Sequence, residues 1–351
     1  MTVEPVTVLA ADGSRGPQPL FEEARCLGCG SEGLFLLLRN GADPFLAALR
    51  ASDQASEGVP RESRWVVCRT CGLVRQNPRP TAVATARLYR GSFWTRPVEV
   101  YAQQGARMFR SQFAWIISTA PLKRSPQGGM PRVLDIGSTT GKLLDHFRAA
   151  GWETYGVEPD PSYAAYAARC GHRIEAGLFS DGVFPGVRFD LITASHVFEH
   201  IADPLTFLRA VAVRLKPKGG VFLEVPSVKW PTRDLLAGVF VSPHYYVYSE
   251  RTLARVLARS GFRVEHWAIC GRGLRVIAAP GSTTSRSVAL RDSAPFIVAL
   301  TVFHRYLRCP TLRAGLAAWL CVTRATRFLL RALLGPAGSI LYTSLRRRFY
   351  R

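Results

Sequence analysis

Val133-Leu134-Asp135-Ile136-Gly137-Ser138-Thr139-Thr140-Gly141-Lys142-Leu143-Leu144 reads as a short apolar strand, a glycine turn and the start of an amphipathic helix. About twenty residues on, a second strand ends in an acid, Tyr155-Gly156-Val157-Glu158. Strand, turn, helix and an acid at the next strand tip form a nucleoside-binding half-fold. The glycines let backbone approach a ligand, and the acid can hold two ribose hydroxyls. A dinucleotide site wants Gly-x-Gly-x-x-Gly, which is missing here. A triphosphate site wants a hydroxyl after Gly-Lys, where this chain has Leu143. What remains, Asp-x-Gly-x-x-x-Gly, suits a ligand without phosphates.

Outward from that stretch, short apolar strands alternate with helices from Arg132 to about Pro280. Strands are predicted at Val133–Ile136, Thr154–Val157, Arg173–Glu175, Phe189–Ala194, Val221–Val225, Arg263–Ala268 and Leu274–Ala279. Helices are predicted at Lys142–Ala150, Tyr163–Cys170, Pro204–Leu215 and Glu250–Ser260. Such alternation gives an α/β domain, a parallel sheet covered on both faces. The last two strands have no helix between them, so an antiparallel pair is expected at one edge.

"VLDIGSTTGKLL", "GVEPD", "FDLITASHVFEHIADP", "LKPKGGVFLEVP" and "SERTLARVLARSGF" together resemble the class I S-adenosylmethionine-dependent methyltransferases, over roughly residues 130–280. The resemblance implies a Rossmann-like sheet of seven strands with the methyl donor above its C-terminal edge. It implies that Asp135 and Gly137 border the methionine moiety, in a turn closed by Thr139 and Gly141. Glu158 would bind the ribose hydroxyls, and Gly177, Leu178 and Phe179 would frame the adenine. Thr139 stands where many members have glycine.

Four of the eight cysteines form two Cys-x-x-Cys-Gly knuckles, Cys26/Cys29 and Cys68/Cys71, whose four thiolates suit one tetrahedral Zn²⁺. The 38 intervening residues form a polar insertion with a helical patch near Phe45–Leu49. The longer loop adds only logarithmically to closure cost. Disulfides or free thiols are the competing reading. The segment also resembles the zinc-headed module that precedes the methyltransferase domain in a subgroup including sugar C-methyltransferases. That likeness implies a structural metal.

Two loops carry candidate chemistry. After the fourth strand lie His196, Glu199 and His200. His196 could be a base; the three could ligate a metal; or Glu199 and His200 could stabilise the turn into the next helix, the reading we favour. After the fifth strand, His244 is either a base or a hydrogen-bonding group at a helix start. The sugar C-methyltransferases carry a Tyr-x-Glu-His set here. This chain has Val241-Ser242-Pro243-His244, so only the histidine survives. That favours O-methylation of a hydroxyl over C-methylation of a ketosugar.

The net charge of +21 is uneven: residues 281–351 hold twelve arginines and one acid, Asp292. On a helical wheel of this extension, Arg313, Arg324, Arg327 and Arg331 fall opposite Leu312, Trp319, Val322, Leu329, Leu330 and Leu333. Packing or dimerisation through 289–351 is expected first, and peripheral membrane contact second. The large aliphatics argue against nucleic acid. The expected organisation is a tail (1–25), a zinc ribbon (26–80), a helical linker or cap (81–130), the methyltransferase domain (131–280) and the basic helical extension (281–351). The N-terminus lacks the layout of a signal peptide, and a cytoplasmic protein is expected. The acceptor is expected to be a sugar, glycan or other small-molecule hydroxyl. A non-catalytic scaffold with a vestigial fold is the alternative outside enzymes.

Overall fold

The computed structural model describes residues 19–51, 59–81, 84–85, 97–103, 106–120, 129–227, 238–270 and 273–281. The basic extension therefore lies outside the described residues, with everything expected of 289–351. So do residues 1–18. The remainder of the expected tail does not stay apart: β1 (Phe21–Glu22) pairs antiparallel with β5 (Arg79–Pro80).

Between them lies a small sheet built around the cysteines. Strands β2 (Leu34–Asn40), β3 (Ser63–Cys68) and β4 (Val74–Gln76) form an antiparallel meander. Helix α1 (Pro44–Ala51) occupies the polar insertion, burying Phe45, Leu46 and Leu49. Asp43 caps α1, its Oδ1 accepting from the backbone N–H groups of Phe45 and Leu46. Two further helices, α2 (Val98–Gln103) and α3 (Ala106–Thr119), lead to the large domain. Phe113 of α3 packs edge-on against Phe147, with ring centroids 5.1 Å apart.

The large domain comprises β6 (Arg132–Ile136), α4 (Lys142–Ala149), β7 (Glu153–Glu158), α5 (Pro161–Arg169), β8 (Arg173–Ala176), β9 (Phe189–Ser195), α6 (Pro204–Arg214), β10 (Leu215–Pro226), β11 (Tyr246–Val247), α7 (Glu250–Arg259), β12 (Phe262–Cys270) and β13 (Gly273–Pro280). Local chemistry sets the helix starts. Asp160 and Asp203 each accept two backbone N–H bonds ahead of a proline at the first helical position, and Ser249 forms a reciprocal capping box with Thr252. The seven-stranded sheet has the order β12-β13-β10-β9-β6-β7-β8. Pairs within β8-β7-β6-β9-β10 are parallel, and β13 runs antiparallel to both neighbours. This is the Rossmann-like seven-stranded arrangement that the resemblance implies, with the expected antiparallel pair at one edge.

Chain order reverses between β6 and β9. At such a switch point helices leave in opposite directions and a crevice opens beyond the strand ends. β11 belongs to neither edge of this sheet. It pairs with β4, completing a four-stranded sheet of order β11-β4-β3-β2. The cysteine module and the large domain thus share a sheet across the expected boundaries at 80 and 130. Among the described residues, no helix is long and apolar enough to cross a membrane.

Candidate active site

The crevice has two halves. The first lies at the tips of β6, β7 and β8. Gly137 ends β6 at φ +71°, and a Cβ there would stand 2.6 Å from Val197 Cγ2. The turn can therefore close on the β9 loop only with glycine. Thr139 holds a left-handed φ of 47°, which explains why glycine suits this position. In that conformation its N–H donates to Glu158 Oε2 at 2.8 Å, while Asp160 N–H donates to Oε1 at 2.9 Å. Gly141, at the start of α4, is required by packing: a Cβ would stand 2.6 Å from His172 Cδ2.

Asp135 accepts a 2.6 Å hydrogen bond from Thr193 Oγ1. Burial pushes its carboxyl up to about 7, against that bond, and the charge of Glu158 adds to the rise. Burial also raises Glu158, against the two backbone donors. Two buried carboxylates facing one turn make a pocket that favours a cation. The hydroxyls of Ser138 and Thr140 are buried there without a hydrogen-bond partner among the described residues. These features fit a cationic nucleoside of the sulfonium type. Beside Glu158, whose carbonyl accepts from Gly177 N–H, the β8 loop presents Leu178 at 70% exposure. Phe179 instead packs edge-on against Phe207 at 5.4 Å.

The second half lies at the tips of β9 and β10. His196 follows β9 at a left-handed φ of 54°, an uncommon conformation that marks strained sites. Its Nδ1 lies 3.4 Å from Glu199 Oε1, and its side chain is 43% exposed. Burial lowers its affinity for a proton, but the Glu199 carboxylate outweighs this and raises its pKa. Glu199 is 1% exposed: burial pushes its carboxyl up, but the neighbouring His196, first through its hydrogen bond, outweighs this and holds it at about 2. His200 is kept neutral, at about 3, by burial and then by its imidazole neighbours. The His200 and His244 rings meet edge to face at 4.7 Å. Donor atoms of Glu199, His200 and His244 lie within 4.8 Å of one another, a second constellation able to hold a metal. The sequence-based metal set of His196, Glu199 and His200 did not anticipate His244 here.

Asp203 caps α6. Ser249 caps α7, and His244 Nδ1 instead donates to Val239 O at 2.8 Å. Sequence reading also missed a buried network flanking β9. Gln112 donates to Ser195 Oγ at 2.7 Å and Glu224 Oε2 at 2.9 Å, and Arg275 pairs with Glu224 at 2.8 Å. A charged residue in each of two apolar strands was the available signal.

The four knuckle cysteines converge as expected. Their Sγ atoms all lie within 4.8 Å, with Cys26–Cys71 and Cys29–Cys68 both at 3.5 Å. Gly30 and Gly72 close the knuckles at φ +80° and +76°, donating to the carbonyls of Cys26 and Cys68. None of the four is in a disulfide. Cys71 is held down at about 5 by the hydrogen bond from Cys26, whose own proton is correspondingly retained.

Residues 101–267, just under half of the chain, match the profile of the methyltransferase domain family. Ubiquinone biosynthesis O-methyltransferase of Ralstonia nicotianae is 35% identical over 120 residues, 31% of this chain and 47% of that protein. Its counterpart in Bradyrhizobium diazoefficiens is 34% identical over 110 residues, 29% and 42% respectively. The chain thus spans less than half the length of these relatives. Among solved structures, magnesium protoporphyrin IX methyltransferase from Synechocystis with bound SAH aligns over 57% of this chain and 94% of that one, at 16% identity and a TM-score of 0.39.

Proposed function

We propose that the methyltransferase domain carried by this chain transfers a methyl group from S-adenosylmethionine to a hydroxyl of a sugar, glycan or other small molecule. One observation carries this reading. A pocket of two buried carboxylates and an exposed imidazole set against a buried carboxylate share one edge of the sheet, on opposite sides of its switch point. O-methylation is also what the names of the two bacterial relatives describe.

When bound, the donor supplies an electrophilic methyl on a sulfonium. Asp135 would border its methionine moiety and Glu158 would take the ribose hydroxyls. The turn from Gly137 through Thr139 to Gly141 would offer backbone, with Leu178 and Phe179 beside the base. His196 removes the acceptor proton. With Nδ1–H turned to Glu199, Nε2 is left to accept it, and the Glu199 charge stabilises the imidazolium formed. His244 supports this pair from the His200 side. A single base suffices for a hydroxyl acceptor, which is why oxygen rather than carbon is the proposed nucleophile.

The four cysteines are proposed to hold one structural Zn²⁺. Four thiolates fill a tetrahedral shell and leave no open position for catalysis. Thiolate ligands persist in a reducing compartment, which supports a cytoplasmic setting. The extension over 289–351 is proposed to pack on this domain or on a second subunit, with an anionic membrane surface as the other reading.

Incubation with donor and a panel of sugars, sugar nucleotides and phenols, read by mass spectrometry, tests the activity. The expected result is a gain of one methyl on a hydroxylated acceptor. Donor binding without any such gain, combined with deuterium exchange beside a ketosugar carbonyl, would replace O-methylation with C-methylation.

A further inference from the structure

The segment that carries His244 is held largely by the cysteine module. Asn40 Nδ2 donates to Phe240 O at 2.9 Å. Asp43 Oδ2 accepts from Ser242 N at 2.9 Å and from Ser242 Oγ at 3.0 Å. Gln76 Nε2 donates to the same hydroxyl at 2.7 Å, and Gln76 N donates to Tyr245 O at 3.0 Å. Tyr246 and Val247 then pair with Arg75 and Val74. Thr85 Oγ1 and the Tyr245 hydroxyl share a further bond at 2.5 Å. On the large-domain side, Tyr245 N donates to Glu199 O at 2.8 Å.

Asp43, Gln76 and Ser242 are at most 2% exposed, so water cannot replace a bond that is lost. The Ser242 hydroxyl donates to Asp43 and accepts from Gln76, which fixes its rotamer. Asp43 uses its other oxygen to cap α1. One carboxylate therefore ties a helix of the module to the loop. Two residues on, His244 is closed into a turn by its N–H bond to Val241 O and its Nδ1 bond to Val239 O. That turn sets the ring against His200.

We infer that Asp43 and Gln76 are positioning residues for His244, acting through Ser242, so that an intact cysteine cluster is a condition for an assembled histidine pocket. The catalytic meaning of this clamp rests on the methyltransferase reading; its geometry does not. The linkage runs through β3 and β4. Cys68 ends β3, β3 pairs with β4, and β4 ends in Gln76. Opening the cluster frees the end of β3 and, with it, the register that presents Gln76. Asn40 and Asp43 follow, because β2 pairs with β3 and leads into α1.

The test uses the full-length protein with its metal and labelled histidine rings, followed by NMR, with hydrogen exchange of peptides spanning 238–249. Ser242→Ala removes the hydroxyl but keeps the N–H. Asp43→Ala removes both acceptor oxygens, and Asp43→Asn keeps only one of them. Ser242→Ala and Asp43→Ala are expected to shift the His244 and His200 ring signals. Exchange over 238–249 should speed up about tenfold, the scale of one buried hydrogen bond. Asp43→Asn, which can cap α1 or accept from Ser242 but not both, should fall between the unaltered protein and Asp43→Ala, and His172 should not respond in any variant. Chelation of the metal should reproduce the Asp43→Ala pattern. If Asp43→Ala fails to fold, Ser242→Ala decides. An unmoved His244 signal in folded Ser242→Ala overturns the inference. Donor calorimetry on the unaltered protein separates the two claims: failure to bind donor strikes the methyltransferase reading, whereas the clamp stands or falls on the His244 signal.

Discussion

Along one edge of the sheet, the tips of β6 and β7 and the tips of β9 and β10 both carry buried charged groups, but they are held by different means. The carboxylate pocket is local. Asp135, Gly137, Thr139 and Glu158 lie within one strand-turn-helix-strand unit, and backbone N–H groups of that unit orient Glu158. The histidine pocket is composite. His196, Glu199 and His200 come from one loop, His244 from another, and the second loop is fastened by Asn40, Asp43 and Gln76. A local site should survive damage elsewhere in the chain. A composite site should fail with any of its supports.

Cys68→Ser should break that symmetry most strongly. A structural zinc contributes on the order of 10 kcal/mol to its own module, comparable with the whole stability of a domain. Metal analysis should fall from about one Zn²⁺ per chain to nearly none, with loss of the module's protection from hydrogen exchange. The carboxylate pocket should still bind donor, although more weakly. Retained metal would remove Cys68 from the ligand set. Lost donor binding in a chain whose large domain is still folded would show that the two halves are not separable.

His196→Gln comes next. Losing a positioned general base typically costs about 10²–10⁴ in rate. The expected outcome is a fall of that size in kcat with whichever hydroxyl acceptor gains a methyl, with donor affinity unchanged. Unchanged kcat would transfer the role to His244.

This contrast also explains what could be read from the sequence. The unit around Gly137 was legible because its parts are contiguous and each follows a local rule: apolar strand, left-handed turn, amphipathic helix, acid at the strand tip. The knuckles at Cys26 and Cys68 were legible for the same reason. The His244 site was not. Its partner Glu199 lies 45 residues away and its anchor Asp43 about two hundred, and no periodicity encodes such pairings. Asp43 does carry a local signal, an acid directly before Pro44. That signal announces a helix cap and says nothing of the second bond to Ser242. Pairing of Tyr246–Val247 with β4 was hidden likewise, since two residues are too few for a strand pattern.

A smaller effect concerns protons in the carboxylate pocket. Asp135 is raised to about 7, well above the ordinary carboxyl range, so without donor the folded chain binds more protons than the unfolded one between about pH 4 and 7. Stability should therefore fall as pH rises through that window. A cationic donor favours the charged carboxylate and releases the proton. Donor affinity should rise toward pH 7 by less than about tenfold per unit and level off above it. Calorimetry in two buffers of different ionisation heat should show the release, and Asp135→Asn should abolish it. Affinity that is flat from pH 5 to 8 would place the cation away from Asp135.

The smallest expected effect tests how local the pocket is. At φ 47° a β-branched threonine bears a strain of about 1–2 kcal/mol, and glycine would relieve it. Glycine also gives the unfolded chain more freedom, which offsets about 0.5–1 kcal/mol of the gain. Thr139→Gly should therefore stabilise by about 0.5 kcal/mol, a rise in Tm of about 1–2 °C. Its N–H still reaches Glu158, so donor affinity should not change. Gly137→Ala, two residues earlier, should behave in the opposite way, because its new Cβ would meet Val197 and push the β9 loop that carries His196. If both substitutions leave the His196 signal alone, the two halves are mechanically independent at the switch point. If Gly137→Ala moves it and Thr139→Gly does not, Gly137 is where the local pocket and the composite one touch.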